Sequence, residues 1–414
     1  MGVDDPLHYL ASLERLGMKF GLDNIRALTA ALGHPEQNFR SIIIAGTNGK
    51  GSVTAMVERG LRGAGYRTGR YTSPHLLRLE ERFAIDGTEV RPKVLHAAAA
   101  AVRDTAERLR SEKILDTQPT FFECATAIAF VLFAEARIQF AVLEVGLGGR
   151  LDATNAVTPI AAAITSIDFD HQAQLGSSIA SIAREKAGII KPGIPVVCGP
   201  LLPEAEQIVR EISNAAGATC VNAMDVADLD GVLAGRELSL KGMHQRTNAA
   251  VAIALLRQLD DRNVAIGLPA LRAAVTDVDW PGRLEPFQYR GAHVWLDAAH
   301  NPAGARALRR FLTEIAWKDS ALVFGAMQDK DAAAMLTELL PLAGAVICTT
   351  APTPRAAPAE ALAEITRGLS PTAHVESIAH PPDALARAAA LRNRIVIAGS
   401  IFLIGPLRAI LREF

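Results

Sequence analysis

One short segment of the chain combines closely spaced glycines with a lysine and several hydroxyl groups, in the order GTNGKGS from residue 46 to residue 52. An apolar, β-rich run precedes the segment and a helical pattern follows it, so we expect a loop that joins a buried strand to a helix ending at Gly63 or Gly65. The glycines would let backbone amides turn toward one point, and the start of the helix would add its own N–H groups and the positive end of its dipole. Such an arrangement binds phosphate groups.

Within this loop, Lys50 has the length and charge to reach the β- and γ-phosphates of a nucleotide, and a hydroxyl group of Thr47 or Ser52 could approach Mg²⁺. The loop departs from the pattern GxxxxGK[ST], because Ile44 takes the place of the first glycine and Gly51 follows the lysine. A tight strand–helix turn without a ligand is the alternative, and the lysine between a strand and a helix favours the nucleotide site. The loop residues expected to bind nucleotide are Thr47, Asn48, Gly49, Lys50, Gly51 and Ser52.

Three more loops with polar side chains follow predicted strands, and they contain Ser73, Glu144 and His171. Ligands of doubly wound sheets bind beyond the carboxyl ends of the strands, so these side chains would face the phosphates if the strands share one sheet. A hydroxyl, a carboxylate and an imidazole can complete a shell for Mg²⁺ or Mn²⁺. Taken singly, Ser73 could be a turn residue, His171 a helix cap and Glu144 a partner of Arg150.

A lysine near the middle of the chain is harder to interpret. The segment SSIASIAREKAGIIKPG predicts a helix that ends at Gly188, with Lys186 in its last turn. The position alone favours a surface lysine stabilised by the helix dipole.

Short apolar runs alternate with helical patterns almost throughout, which predicts βαβ units and parallel sheets covered by helices on both faces. The clearest runs are Ser41–Ala45, Thr68–Tyr71, Phe140–Val145, Ile160–Ile167, Pro195–Cys198, Val294–Leu296, Ala321–Phe324, Ala345–Cys348 and Arg394–Ala398. The expected class is α/β: a P-loop, doubly wound, mostly parallel sheet domain followed by a smaller Rossmann-like domain.

A domain boundary is expected between Trp280 and Gly291, where Pro281 and Gly282 interrupt the pattern before a new series starts at His293. We therefore divide the chain at about residue 287, into residues 1–286 and 287–414.

Composition excludes several other classes of protein. The 414 residues carry a formal net charge of −1, so no global field would attract nucleic acid or an anionic membrane. The N-terminal MGVDDPLHYL lacks the order of a signal peptide, and no apolar run reaches the roughly 18 residues that cross a bilayer. Four scattered cysteines without a CxxC pair favour reduced thiols over a disulfide framework or a zinc site. We expect a cytoplasmic monomer that binds neither nucleic acid nor membrane.

The motifs, taken in order, resemble those of one family over essentially the whole chain. They are GTNGKGS, TSPHL, FFE, EVGLGGRLDATN, the pair Asp170-His171 with Leu175-Gly176, EKAGIIKPG, HQRTN, PGRLE, DAAHNP, GAMQDKD and AGS. Together they resemble the folylpolyglutamate synthase/dihydrofolate synthase family, a branch of the Mur ligase superfamily. EVGLGGRLDATN and REKAGII are the most specific of these motifs.

The resemblance implies roles for individual residues. Ser73, Glu144 and His171 would ligate Mg²⁺, and Lys186 matches a lysine that is carbamylated by CO₂ and offers oxygen ligands to a second Mg²⁺. Four further positions match residues that bind the nucleotide: Asn248 for adenine, Arg283 for phosphate, Asp297 for ribose, and His300 in the same motif as Asp297. The second domain would close over the bound nucleotide. A requirement for a monovalent cation stays open.

The same resemblance implies the reaction and its substrates. ATP would phosphorylate a carboxylate of folate or dihydropteroate, and the amine of L-glutamate would displace the phosphate from the acyl phosphate. The candidate residues of the folate pocket are Thr120, Phe121, Phe122, Glu123, Asp152, Ala153, Ser73 and Pro74. For the two phenylalanines, core packing is the alternative, and for Asp152 it is a turn.

Three other functions compete with a folate-extending ligase. A dihydrofolate synthase would add only the first glutamate, and Met18-Lys19-Phe20 before Gly21-Leu22 favours the folate-extending type over a bifunctional one. A P-loop switch or carrier would bind nucleotide without ligase chemistry, and would need neither a carbamate lysine nor an amino-acid pocket. A cell-wall Mur ligase has the same chemistry, but the LGGRLDATN loop argues against it.

Overall fold

The computed structural model describes residues 5–14, 17 and 21–414. Residue contacts divide this part of the chain into two compact units. The first contains the residues up to 239 together with 246–278, and the second contains residues 240–245 and 279–414. The segment Met18-Lys19-Phe20, on which the preference for a folate-extending enzyme depends, lies outside the described residues.

The first unit is built on one eight-stranded sheet, with the order β4-β3-β2-β5-β1-β6-β7-β8. Its strands are β1 (Arg40–Ala45), β2 (Thr68–Tyr71), β3 (Phe83–Ile85), β4 (Thr88–Glu89), β5 (Phe140–Glu144), β6 (Ala161–Ile164), β7 (Val196–Cys198) and β8 (Cys220–Asn222). All neighbours pair in parallel except β3, which is antiparallel to both β2 and β4. Strands β2 to β5 lie on one side of β1, and strands β6 to β8 lie on the other. The strand order therefore reverses at β1, and ligands of doubly wound sheets bind in the crevice at such a point.

The central strands are apolar on both faces because helices cover both. The helices that precede residue 277 are α1 (Pro6–Leu13), α2 (Asp23–Ala31), α3 (Lys50–Gly63), α4 (Pro92–Ser111), α5 (Phe121–Glu135), α6 (Gln172–Leu175), α7 (Ile179–Ala187), α8 (Pro203–Ala215), α9 (Ala223–Val226), α10 (Leu229–Leu233), α11 (Met243–Arg257) and α12 (Leu268–Thr276). Ile43 and Leu143 lie side by side on one face, which α5, α7 and α8 cover, and α4 packs against α5. The opposite face packs against α3, which in turn packs against α12.

The second unit contains a six-stranded sheet with the order β13-β12-β11-β14-β10-β9. Its strands are β9 (Glu285–Tyr289), β10 (Ala292–Leu296), β11 (Ser320–Phe324), β12 (Ala343–Cys348), β13 (Val375–Ser377) and β14 (Arg394–Ala398), and its helices are α13 (Pro302–Glu314), α14 (Ala332–Leu339), α15 (Ala359–Leu369), α16 (Pro381–Leu391) and α17 (Ile401–Leu411). The pairing is parallel apart from β9, which is antiparallel to β10.

The predicted α/β class with mostly parallel sheets is confirmed, and α3 ends at Gly63 as expected. The run Ile160–Ile167 was predicted too long, since β6 covers Ala161–Ile164. The strand ends at Ile164 because the next two residues turn away from the sheet, and the hydroxyl groups of Thr165 and Ser166 donate to the Asn48 carbonyl in the loop after β1. Within the described ranges, the longest and most apolar helices still fall short of what a bilayer crossing requires.

Candidate active site

The loop between β1 and α3 adopts a backbone path that glycine alone tolerates at two positions. Gly46 has a φ of +152° and Gly49 a φ of +87°. A Cβ atom on Gly46 would lie 1.9 Å from Oγ1 of Thr165, and one on Gly49 would lie 2.3 Å from Oδ1 of Asn248. Both distances are far shorter than van der Waals contact, so the side chains of Thr165 and Asn248 leave no room for a Cβ atom at either position.

The residues that follow β6, at the neighbouring strand end, hold this loop in place through hydrogen bonds. The Thr47 N–H donates to the Ser166 carbonyl over 2.8 Å, and the Asn48 N–H donates to Oγ of Ser166 over 3.0 Å. The Thr165 hydroxyl donates to the Asn48 carbonyl over 2.6 Å. The Thr47 hydroxyl lies 3.1 Å from both the carbonyl and the N–H of Asp168. The loop is therefore fixed in shape before any ligand arrives.

Sequence reasoning missed Thr165 and Ser166 as contributors to this site. The rule that functional groups follow strand ends would have found them, because β6 is the direct neighbour of β1. They were hidden inside an apolar run that extended the predicted strand by three residues. Ser52, predicted to contribute a hydroxyl, is buried in the first turn of α3.

Two lysines converge on the first residue of the loop. Nζ of Lys50 donates to the Gly46 carbonyl over 3.1 Å, and Nζ of Lys186 donates to the same oxygen over 2.8 Å. Lys186 is 5% exposed, so the alternative of a surface lysine is wrong. Burial, reinforced by the Lys50 charge, lowers the pKa of Lys186 to about 7, against the opposing charges of Asp170 and Asp152. Near neutral pH much of this amine is uncharged.

Lys186 reaches the loop because α7 is fixed at both ends. Ser178 and Ser181 form a reciprocal capping box at the start of the helix. At its other end, a Cβ on Gly149 would lie 2.9 Å from the Lys186 carbonyl, so only glycine allows this loop to pack there. Arg150 pairs with Glu185 over 2.8 Å, which rules out the alternative pairing of Arg150 with Glu144. The two most specific motifs of the sequence are thus in direct contact.

Glu144 and Ser73 lie together beside the start of the loop between β1 and α3. Glu144 ends β5 and is opposite Ile44 of β1, two residues before Gly46. Its carboxylate is buried, and Oε2 accepts a hydrogen bond from the Ser73 N–H over 3.0 Å. The peptide that joins Ser73 to Pro74 is cis.

His171 lies in the loop that follows β6. It has a left-handed backbone, with a φ of 50°, at the position before α6, and its side chain makes no capping bond to that helix. Its Nε2 is 3.9 Å from Oδ1 of Asp170, whose charge also acts on Lys186. The imidazole ring is 29% exposed. His171 therefore lies at the same end of the sheet as Glu144 and Lys186.

These donors suit a hard divalent cation. A carboxylate, a hydroxyl and an imidazole are ligands that Mg²⁺ and Mn²⁺ accept while keeping waters and phosphate oxygens. The buried carboxylate of Glu144 accepts from the Ser73 N–H through Oε2 and is the candidate carboxylate ligand. Across residues 5–14, 17 and 21–414, no three His, Cys, Asp or Glu side chains form a cluster by themselves.

The predicted folate-pocket residues at the start of α5 have defined partners. Thr120 is the N-cap, and Oε2 of Glu123 accepts from the Thr120 N–H over 2.7 Å and from its hydroxyl over 2.9 Å. The Arg82 guanidinium lies 4.9 Å from the centre of the Phe121 ring. The Phe122 ring packs against Gly146, where a Cβ would approach it to 2.5 Å. The structure thus brings α5 against the loop that follows Glu144.

Asp152 is buried and accepts four hydrogen bonds. They come from the N–H groups of Gly146, Leu147 and Thr154 and from the Thr154 hydroxyl, over 2.6 to 3.0 Å. Burial raises the pKa of Asp152, and these bonds oppose that shift. This carboxylate holds the loop between β5 and β6 in shape, and Ala153 is buried directly after it.

In the second unit, the predicted nucleotide residues lie around the end of β10. The Asp297 carboxylate accepts from the N–H groups of Leu284 and Ala299, each over 2.9 Å. Nδ1 of His300 is 2.9 Å from the Ala298 carbonyl. Arg283 donates to the carbonyl of Gly282 over 3.1 Å. Asn248, the fourth predicted residue, belongs to the first unit, where it packs against Gly49.

Comparison with known proteins gives one family by three routes. Residues 282–401 match the model described as the Mur ligase glutamate ligase domain. Dihydrofolate synthase/folylpolyglutamate synthase of Bacillus subtilis is 37% identical over 368 residues, which cover 84% of this chain and 85% of that protein.

Solved structures agree. Folylpolyglutamate synthase of Mycobacterium tuberculosis, complexed with ADP and AMPPCP, superposes with a TM-score of 0.88 at 33% identity, over 98% of this chain and 99% of that one. A bifunctional folylpolyglutamate synthase/dihydrofolate synthase with Mn, AMPPNP and L-glutamate bound gives a TM-score of 0.84 at 30% identity, over 99% and 98% of the two chains. The resemblance seen in the motifs is confirmed, and this chain belongs to the folylpolyglutamate synthase/dihydrofolate synthase family.

Proposed function

We propose that this protein is an ATP-dependent ligase that joins L-glutamate to a folate through an acyl phosphate and releases ADP and phosphate. Family membership supports this reaction, and the strongest structural support comes from the arrangement of two lysines. The amines of Lys50 and Lys186 meet at the Gly46 carbonyl, at the start of a rigid phosphate loop. A nucleotide-binding turn alone would not require a second, buried lysine at that point.

The phosphate loop is the part of the site that would bind the triphosphate. The N–H groups of Thr47 and Asn48 already donate to Ser166, so the backbone N–H groups from residue 49 to residue 52, at the start of α3, would face the developing negative charge, and Lys50 would add a full positive charge. Because the loop is already fixed by Thr165 and Ser166, little reorganisation would be needed when the phosphoryl group is transferred. Such preorganised electrostatics are the main source of catalysis in phosphoryl transfer.

Divalent cations fit the donors on either side of this loop. Ser73, Glu144 and His171 would hold one Mg²⁺, and Lys186 in its carbamylated form would provide oxygen ligands for a second. Bound Mg²⁺ supplies positive charge that neutralises the phosphate oxygens. The relative solved with Mn and AMPPNP is consistent with a divalent cation beside a nucleotide.

Carbamylation of Lys186 is chemically reasonable at this position. An uncharged amine attacks CO₂, a nitrogen–carbon bond forms, and one proton leaves, so the product is an anion with two oxygen donors. Burial and the neighbouring Lys50 charge leave much of the amine uncharged near neutral pH. The anion formed would lie next to the Lys50 ammonium, which stabilises it.

The acceptor would lie between α5 and the loop after β5. The half-buried rings of Phe121 and Phe122 are the candidate apolar surface for a pteridine ring, and Ala153, Ser73 and Pro74 stay further candidates for this pocket. Asp152 already accepts four hydrogen bonds, so a contact of Asp152 with substrate would be additional to its role in the loop. The roles of Asn248, Arg283, Asp297 and His300 in nucleotide binding stay predictions.

The experiment that tests this proposal is mass spectrometry of the reaction products. Dihydropteroate and tetrahydrofolate are each incubated with ATP, Mg²⁺ and L-glutamate. A glutamate added to tetrahydrofolate supports the folate-extending ligase, and addition to both substrates shows a bifunctional enzyme. Product from dihydropteroate alone would identify a dihydrofolate synthase. ATP turnover without any product, and without response to folate or glutamate, would favour a P-loop switch or carrier instead.

We also propose that residues 1–286 hold the nucleotide and folate sites and that residues 287–414 form a domain of the glutamate ligase type. A cytoplasmic monomer is the proposed form of the protein. Size-exclusion chromatography with light scattering tests the oligomeric state, and exchange of K⁺ for Na⁺ in the assay tests the need for a monovalent cation.

A further inference from the structure

Two cysteines that are 22 positions apart in sequence meet at one edge of the first unit's sheet. Strands β7 and β8 are the outermost pair at that edge, with Val196 opposite Cys220 and Cys198 opposite Asn222. Since alternate residues of a strand share a face, both cysteine side chains project from the same face. Their sulfur atoms are 4.0 Å apart.

The two thiols differ in their access to solvent. Cys198 is 5% exposed, whereas Cys220, on the edge strand, is only half-buried. Both cysteines line a small cavity, together with Val209 and Arg210 of α8. A reagent in solution can therefore reach Cys220, while Cys198 is sheltered behind it.

The groups around the pair favour a thiolate on Cys220. The hydrogen bond with the Cys198 thiol lowers the pKa of Cys220 to about 6; burial opposes this shift, and Ser213 and Arg210 add to it. Glu206, which pairs with Arg210 over 2.7 Å, acts in the opposite direction. The same hydrogen bond, together with burial, raises the pKa of Cys198.

We propose that Cys198 and Cys220 are a dithiol–disulfide couple, in which the accessible Cys220 reacts with a low-molecular-weight disulfide and the sheltered Cys198 resolves the product. The Cys220 thiolate forms a bond to one sulfur of the external disulfide, whose sulfur–sulfur bond breaks and releases one thiolate. Cys198 then loses its proton to water, its sulfur bonds to Sγ of Cys220, and the second external thiolate leaves. The pair is oxidised by two electrons, and the external disulfide is reduced to two thiols.

Closing the disulfide requires the edge strand to move. The two sulfurs must approach each other by about 2 Å, and the cysteines are diagonal neighbours in the register, about 7–8 Å apart at Cα, so β8 must shift along with the rotation of the side chains. Cys124 and Cys348 serve as internal controls, because burial raises their pKa to about 12 and about 11, respectively. This couple is independent of the ligase reaction and does not depend on the proposed function.

The test uses the full-length protein, reduced and freed of reductant, and incubated with oxidised glutathione at pH 7.5. We expect the intact mass to fall by two hydrogens and peptide mapping to join the Cys198 and Cys220 peptides. Iodoacetamide should alkylate Cys220 at least about tenfold faster than Cys124 or Cys348.

Matched variants separate the two steps of the reaction. Cys198→Ser should retain one glutathione on Cys220, because no thiol is left to resolve it, and Cys220→Ser should gain no adduct on Cys198. Alanine replacements provide a second pair if either serine variant fails to fold. A wild-type protein that keeps a stable glutathione adduct on Cys220, or that reacts no faster there than at Cys124, would overturn the couple.

Discussion

Lys50 and Lys186, which are 136 positions apart in sequence, donate to one carbonyl oxygen, that of Gly46, over 3.1 and 2.8 Å. Two ammonium groups this close would repel each other strongly in a buried site. The structure resolves the conflict through Lys186, whose pKa is lowered to about 7, so that one of the two amines loses its charge near neutral pH. This relationship brings a charged lysine next to an amine that is partly uncharged near neutral pH.

The loop that carries Gly46 depends on a hydroxyl group that sequence reasoning did not identify. Thr165→Val keeps the shape of the side chain but removes the hydrogen bond to the Asn48 carbonyl. We expect a loss of about 1 kcal/mol in loop stabilisation and a several-fold higher Kd for ADP, measured by isothermal titration calorimetry.

Thr366→Val is a matched control for that variant. Thr366 is also fully buried and donates to a backbone carbonyl, that of Leu362, over 2.7 Å, but it belongs to α15 of the second unit. It should lose similar stability without a change in ADP affinity. Equal ADP affinities for the two variants would show that the Thr165 hydroxyl does not shape the site.

Much of the fold could be predicted because the central strands are long and apolar. The runs at Thr68–Tyr71 and Arg394–Ala398 coincide with β2 and β14. Strands β3 and β4 contain three and two residues, too few for any periodicity to show, so their antiparallel pairing was not foreseen. Strand β9 was also missed, because its side chains are mostly half-exposed or exposed.

The site could be predicted only in part, because its contacts join distant positions. Spacing alone favoured a surface position for Lys186, and the family resemblance pointed to a different role. Neither indicated that its amine would bond to Gly46, which is 140 positions away. The pairing of Cys198 with Cys220 could not be predicted either, since the three-residue strand β8 is not among the predicted runs.

The carboxylate of Glu144 provides a test of the proposed metal site. Glu144→Gln preserves size and can still accept from the Ser73 N–H, but it removes the negative charge that would attract Mg²⁺. We expect turnover to fall by about a hundredfold or more, with little change in the thermal midpoint. Steady-state assays over a range of Mg²⁺ concentrations, combined with calorimetry, make the measurement.

Glu58→Gln is the control for Glu144, since Glu58 is equally buried in the same unit but bonds to Thr68 and Arg62. It should lower stability while leaving specific activity largely intact. If Glu144→Gln instead loses stability and activity in parallel, Glu144 has a structural role.

His171 requires a substitution that respects its backbone. Asparagine tolerates a φ of 50° better than alanine does, so His171→Asn removes the imidazole with little strain. We expect turnover to fall and the Mg²⁺ concentration needed for half-maximal activity to rise. An unchanged Mg²⁺ dependence would exclude His171 as a metal ligand.

Burial of Lys186 should make stability depend on pH in a defined direction. Its pKa is 10.5 in the unfolded chain and about 7 in the folded protein, so the unfolded chain binds more protons between those values. The penalty for burying this lysine is therefore full below pH 7, declines as the pH rises and vanishes above pH 10.5. Lys186→Met removes the penalty and should raise the free energy of unfolding, by roughly 1 to 3 kcal/mol more at pH 6 than at pH 9.

Chemical denaturation in buffers free of CO₂ measures this difference. Lys318→Met, which removes an exposed lysine of the second unit, is measured at the same two pH values as the control. A gain for Lys186→Met that is the same at both pH values would contradict the lowered pKa.

The last prediction is that Lys186 acts as a carbamate and not as a cation. If its positive charge were the functional feature, Lys186→Arg would keep most of the activity. A guanidinium cannot capture CO₂ or ligate Mg²⁺, so we expect Lys186→Arg and Lys186→Ala to lose nearly all ligase activity while both still bind ADP. Formate or acetate should restore some turnover to Lys186→Ala, because a small carboxylate can fill the vacated space and supply oxygen ligands. In the wild type, ¹³C-labelled bicarbonate should give a carbamate signal by NMR that is lost in both variants and that grows as the pH rises through about 7, where the amine loses its proton. An active Lys186→Arg enzyme, with its folded state verified by circular dichroism, would refute the carbamate.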